Sequence, residues 1–199
     1  MKLVAQRIRE RTITARISDW ARILPTRYRG QPAGAGYGSS RFSSPSRQFT
    51  ILYAGEDFPT AFAEAVVRDR FEGKQRRFLY RPQLDALCVT AISSSRELAL
   101  VDLTGAGAFE LGIDTDANRA RNHGQGQQFA ELLHAQMTDI DGILFASRLT
   151  DARCIAIFER ALPSLSGSVP VPLLQAAELV PELERLKITV RRERNFSLP

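Results

Sequence analysis

Five polar residues stand where chemistry could be done: Arg22, Arg41, Tyr53, Glu64 and Ser147. Glu64 draws attention first, because it is the single carboxylate inside the small, apolar run Phe62-Ala63-Glu64-Ala65-Val66-Val67. A carboxylate there either faces a cavity or pairs with Arg68 one turn later, an i,i+4 bridge worth roughly a few tenths of a kcal/mol when exposed. Each of the others also has a plain structural use. Tyr53 after Ile51-Leu52 suits a core tyrosine with its hydroxyl at the rim. Ser147, closing the run Gly142–Ala146, suits a strand-end cap, and Arg41 and Arg148 suit a solvated surface. Other chemistries have weaker signals. The only histidines, His123 and His134, have no neighbouring cysteine pair to make a metal site. A Ser-His-Asp triad has no G-x-S-x-G elbow to support it. "GAGYG" lacks the Lys-Ser/Thr of a phosphate loop, and "TGAGAFELG" reads as the start of a helix.

The elements that must position these residues are short. Ile51, Leu52 and Tyr53 form a strand that leads through Gly55 to Asp57, a helix N-cap, with Pro59 in the first turn. Further strands are expected at Ala86–Ile92, Ala99–Asp102, Gly142–Ala146 and Cys154–Phe158, each apolar and partly β-branched. Helical spacing predicts a helix over Gln125–Met137. "VPELERLK" predicts another, with Ile188–Val190 as a closing strand. The stretch "GQPAGAGYGSSRFSSPSR" is loop by composition. Tyr37, Arg41 and Phe42 punctuate it, which favours an ordered loop over a site rather than a linker. The chain to about Ser18 alternates weakly, as an irregular or strand-like arm. Strands and helices mix without regular βαβ alternation, so the expected class is α+β in a single domain.

Composition sets bounds on function. With 199 residues, 44% hydrophobic and 25% charged, the chain has the make-up of one ordinary globular domain. It has no apolar stretch of the roughly 20 residues needed to cross a bilayer. The opening "MKLVAQRIRERTITARI" is cut by Arg7, Arg9 and Arg11 and lacks a signal-peptide core. Cys88 and Cys154 lie in apolar runs without CxxC spacing, as two buried free thiols. A cytoplasmic location is the expectation. The net charge of +5 is spread in pairs such as Arg76-Arg77 and Arg191-Arg192, without the interleaved aromatics of a nucleic-acid platform. Neither direct nucleic-acid binding nor membrane binding is expected. An excess of positive charge suits phosphates or an acidic partner.

In their order along the chain, several segments resemble a known family. "WARILPTRY" (20–28), "SSRFSSPSRQFTILYAGEDFPTAFAEAVVRD" (39–69), "LVDLTG" (100–105) and "DGILFASRL…CIAIFERA" (141–161) look like the RES domain, the toxin half of RES–Xre toxin–antitoxin pairs. The resemblance covers about residues 18–162, leaving 1–17 as an N-terminal arm and 163–199 as a C-terminal extension packing on the same domain. Its specificity lies in the combination of R-F, L-Y, A-x-x-E and D-G-x-x-x-x-S-R, each weak alone. Carried over, it makes Arg22 or Arg41 the family's arginine, Glu64 its glutamate, Ser147 its serine and Tyr53 the tyrosine before the glutamate. The N-terminal match offers Arg22, Arg27 and Arg29; the R-I-x-P-x-R-Y pattern favours Arg22, with Tyr28 as a companion. "NHGQGQQFAELLHA" matches loosely and leaves the role of His123 open.

The family is similar in fold to ADP-ribosyltransferases and degrades NAD⁺ with release of nicotinamide. The resemblance therefore implies NAD⁺ as substrate, with no cofactor and no metal. Breaking the nicotinamide–ribose bond builds oxocarbenium character, which a fixed carboxylate stabilises; Glu64 would take that role, with Ala61, Ala63 and Ala65 allowing close approach. Arg22 and Arg41 would hold the pyrophosphate. Tyr53 would face the nicotinamide or a ribose hydroxyl, and Ser147 would orient. The resemblance leaves both water and phosphate open as acceptor. A mono-ADP-ribosyltransferase using the same residues, and a non-enzymatic module with a basic surface, are the alternatives. The resemblance also implies an Xre-type helix-turn-helix antitoxin as partner, and a homodimer is left open.

Overall fold

The protein is described from a computed structural model that covers residues 3–68, 70–71, 74–113 and 123–192. Its centre is a mixed sheet of nine strands. They are β1 (Thr12–Ala15), β2 (Trp20–Pro25), β3 (Ile51–Gly55), β5 (Leu87–Ser94), β6 (Leu98–Asp102), β7 (Gly142–Ala146), β8 (Arg153–Phe158), β9 (Leu165–Gly167) and β10 (Val171–Pro172). The order across the sheet is β1-β6-β7-β8-β3-β2-β5-β10, with β9 also on β5; only β6 and β7 run parallel. A second, two-stranded sheet pairs β4 (Arg77–Tyr80) in parallel with β11 (Ile188–Arg191). Helices α1 (Ala5–Glu10), α2 (Phe58–Phe62), α3 (Arg81–Asp85), α4 (Gly107–Glu110), α5 (Gly124–Gln136) and α6 (Leu179–Arg185) flank the sheets. The class is α+β. Among the described residues no helix is long and apolar enough to cross a membrane.

Strand alternation sorts the core. Ile51, Val101, Ile143, Phe145, Ala156 and Phe158 turn to one face, where Phe129, Ala130 and Leu133 of α5 cover them together with Phe42 and Phe49 from the ordered loop. Leu52, Ala54, Ile92, Leu98, Leu100, Leu144, Ile155 and Ile157 turn to the other, against Ile17 and Trp20. A third cluster joins Phe58 and Phe62 of α2 to Leu79, Leu84, Leu173, Leu179, Leu183 and Ile188. The long loop is therefore anchored by aromatic residues buried in the core, and ordering it costs less than its Gly and Ser content suggests.

Two local details position the site. The Asp57 carboxylate accepts the Thr60 N–H at 2.8 Å and caps α2, with Pro59 in the first turn as the sequence predicts. Gly55 lets α2 lie directly on β3: a Cβ there would come within 2.7 Å of the Ala61 nitrogen. The sequence reading does not anticipate β2 as a strand, the helical start of the arm at Ala5–Glu10, or the change of helix type after Phe62. At Ala63 the α-helix gives way to one π-helical turn, Ala63–Val67, which carries Glu64. Single π turns occur often at functional sites, because the inserted residue re-aims a side chain at the cost of one strained turn.

Candidate functional site

The site is made by two neighbouring strands that part. β2 pairs with β5 along its whole length but meets β3 only at Ala21 opposite Gly55. Beyond that point the strands diverge, and a cleft of about 180 Å³ opens between them. Ala21, Arg22 and Ile23 of β2 form one wall. Tyr53, Ala54 and Gly55 of β3 form the other, with Phe145 and Cys154 from the next two strands. The π turn adds Glu64, Ala65 and Arg68, and the ordered loop adds Ser40 and Arg41. A second lobe of about 230 Å³ continues past Arg22, Ser40 and Tyr53 to Leu24, Pro25, Tyr37 and Ile51. Three arginines against one carboxylate leave the first lobe net positive.

Glu64 is held at both oxygens. Its Oε1 accepts the Ser147 hydroxyl at 2.8 Å and its Oε2 accepts Arg68 Nη1 at 3.2 Å. Both readings of Glu64 from the sequence thus hold together: it pairs with Arg68 at i,i+4 and it faces the cleft. Ser147 is almost wholly buried, and its oxygen accepts the N–H groups of Leu149 at 3.2 Å and Thr150 at 3.4 Å. With both lone pairs engaged, its one proton points at Glu64. Ser147 therefore fixes the carboxylate's direction from behind.

Arg41 is only 3% exposed, although it carries a charge. Its guanidinium sits 5.5 Å from the Phe145 ring centroid and 6.0 Å from that of Phe42. Burial, and after it the nearby Arg68 cation, lower its pKa from the ordinary arginine value. Arg22 is spoken for in a different way. Its Nη1 donates to the carbonyls of Pro32 at 2.9 Å and Gly34 at 2.6 Å, so it pins the Gly-rich loop while lining the cleft. Burial brings its pKa down to about 10. The Tyr53 hydroxyl accepts the Phe42 N–H at 3.0 Å, and burial pushes its pKa up to about 12, so the phenol stays protonated at neutral pH. The Cys154 thiol is likewise raised to about 12, first by burial and then by Glu64.

The structure therefore brings Arg22, Arg41, Tyr53 and Glu64 to one cleft, with Ser147 behind Glu64. It does not bring Tyr28 there. Tyr28 is 54% exposed on a 3₁₀ turn, stacked 4.9 Å from the Arg27 guanidinium, and lines neither lobe. Three contributors carry no site signal in the sequence: Arg68 reads only as an ion-pair partner, Cys154 only as a core thiol, and Phe145 only as part of a strand. The described residues contain no group of His, Cys, Asp and Glu that could hold a metal ion.

The chain is thus an α+β protein whose sheet splits to form an arginine-rich cleft with one braced glutamate. The RES domain model matches residues 10–181, and the protein belongs to the RES domain family. It is 31% identical over 118 residues to "Probable toxin y4kH" of Sinorhizobium fredii (strain NBRC 101917 / NGR234), covering 59% of this chain and 93% of that protein. Its fold is similar to a chain in the crystal structure of the M. tuberculosis MbcT–MbcA toxin–antitoxin complex. The TM-score is 0.64 at 18% identity, covering 84% of this chain and 90% of that one.

Proposed function

We propose that the protein is a toxin that cleaves the nicotinamide–ribose bond of NAD⁺. The observation that carries the reading is Glu64, held at one oxygen by Ser147 and at the other by Arg68, at the wall of a net positive cleft. In such a site the C1′–N bond breaks, its electron pair leaves with the nicotinamide nitrogen, and positive charge develops on the ribose. A carboxylate already oriented when that charge appears stabilises the transition state more than the ground state. Arg41, with Arg22 at the junction of the two lobes, takes the pyrophosphate. A protonated Tyr53 can donate to a ribose hydroxyl or present its ring to the base. Ala61 and Ala65, without bulk, leave room at the turn. The family membership and the likeness to a protein described as a probable toxin support the biological role.

The test is to incubate the purified protein with NAD⁺ alone. Free nicotinamide, with no acceptor protein added, is the expected result, and adding phosphate then reports whether water or phosphate completes the reaction. Label transferred only to a protein would favour the mono-ADP-ribosyltransferase reading. No turnover of either kind would leave a binding module. A toxin of this kind has to be silenced in its own cell, so the reading includes a cognate Xre-type antitoxin that places an acidic or carboxylate-terminated segment across Arg22, Arg41 and Glu64, in place of the phosphates. Adding that antitoxin should abolish turnover. An antitoxin that binds while an NAD⁺ analogue still enters would overturn direct occlusion.

A further inference from the structure

Two segments that line the cleft, the π turn and the ordered loop, are joined by one imidazole that is not itself part of the lining. His123 precedes α5, and its Nε2 lies 2.8 Å from Nη2 of Arg68, the residue that braces Glu64. Its Nδ1 lies 2.8 Å from the backbone oxygen of Ser39, two residues before Arg41. The two contacts fix the ring's state. A guanidinium can only donate, so Nε2 must offer a lone pair, and a carbonyl can only accept, so Nδ1 must carry the proton. The first turn of α5 reinforces the same attachment. Gln127 donates to the Ser40 carbonyl at 3.2 Å. Gly126 lies so close that a Cβ would come within 2.6 Å of the Arg41 oxygen.

We infer that His123 is a positioning residue, which as the neutral Nδ1–H tautomer latches the turn bearing Glu64 and Arg68 to the loop bearing Arg41. It touches neither the reacting atoms nor the space where substrate would lie, and it acts through its two neighbours. Each side of the ring serves a different step. The Nε2 side holds Arg68, and through it the carboxylate that faces developing charge, so its loss falls on kcat. The Nδ1 side holds the loop that presents Arg41, so its loss falls on binding. The kinetic part of this inference rests on the NAD⁺ reading above, while the tautomer and the loop attachment do not.

Two substitutions separate the sides. His123→Asn keeps a donor where Nδ1–H stands but cannot reach Arg68. His123→Gln keeps an acceptor near Nε2 but gives up the bond to Ser39. In full-length protein that melts like wild type, H123N should lower kcat about tenfold or more, within the roughly 100-fold that a 1 Å misplacement can cost, and leave KM nearly unchanged. H123Q should raise KM about three- to tenfold, the worth of one ordinary hydrogen bond, with kcat little changed. Two measurements need no turnover. Imidazole ¹⁵N resonances of wild-type protein should show His123 as Nδ1–H; His134 is the only other histidine, and its signals are assigned by their loss in H134Q. Amide exchange across residues 39–42 should speed in H123Q and not in H123N. An Nε2–H tautomer in wild type, or identical kinetic and exchange behaviour of the two variants, overturns the latch. Wild-type protein that releases no nicotinamide defeats the NAD⁺ reading instead, and the tautomer and exchange results then decide the latch by themselves.

Discussion

Replacing Glu64 by glutamine removes a charge while keeping shape, and the structure sets how much each property should change. The glutamine carbonyl can take the place of Oε2 and accept Arg68 Nη1, now at 3.2 Å. Its amide nitrogen then faces Ser147 Oγ, at 2.8 Å from Oε1, and the serine proton must turn away for that oxygen to accept. Both lone pairs of that oxygen already accept backbone N–H groups, so the amide can bond there only by displacing the longer of them, from Thr150 at 3.4 Å. The Glu64 and Arg68 side chains are each 17% exposed, between a surface pair and a fully buried one. A loss of about 1 kcal/mol follows from weakening one such pair, which is about 2–4 °C in the melting temperature of a domain this size. The effect on cleavage is of a different order. Removing one preorganised electrostatic contribution costs about 10²–10³ in kcat. Nicotinamide release and thermal melting, measured on the same preparation, compare the two. Activity within a few-fold of wild type, or a melting point lower by tens of degrees, would refute the assignment of Glu64 to the reaction.

Arg41→Ala should weaken both NAD⁺ binding and antitoxin affinity, read by calorimetric titration of each ligand; antitoxin binding at full strength would contradict a shared site. Arg22→Ala leaves the Pro32 and Gly34 carbonyls without their donor, so limited proteolysis within residues 30–38 should accelerate, with a stability loss of about 1–3 kcal/mol. Gly126→Ala must push back the Arg41 backbone, and an overpacking cost of about 1–3 kcal/mol with a raised KM for NAD⁺ is expected from melting and steady-state kinetics. The Tyr53 phenol is raised from 10.0 to about 12 on folding, so the folded state keeps a proton that the unfolded chain loses. Its contribution is present below pH 10 and falls as pH rises from about 10 to about 12. The difference in melting temperature between wild type and Tyr53→Phe should therefore shrink across that window, and a difference that widened would reverse the sign of the argument.

Much of the framework is written locally. The run from Ile51 to Gly55, the Asp57 cap and the run from Gly142 to Ala146 each carry a short-range signal, alternating apolar residues or a side chain that satisfies its own helix terminus. The order of Arg, Tyr, Glu and Ser along the chain was enough for the family. Tyr37, Arg41 and Phe42 mark an ordered loop in a Gly- and Ser-rich stretch; Arg41 and Phe42 are buried, which requires the loop to be held, while Tyr37 stays exposed. What only the tertiary structure decided is non-local. β2 has no pattern of its own, since Trp20–Pro25 is defined by its partner β5 and by its parting from β3. That Glu64 meets Ser147, 83 residues later, depends on sheet order and on the π turn that carries Glu64. Arg22 pins a loop, and His123 joins the π turn to the ordered loop, because strand divergence and the docking of α5 bring their partners within hydrogen-bond reach. Propensity and periodicity act over a few residues, whereas a hydrogen bond across a cleft depends on the register of strands far apart in the chain, and no local pattern encodes that register.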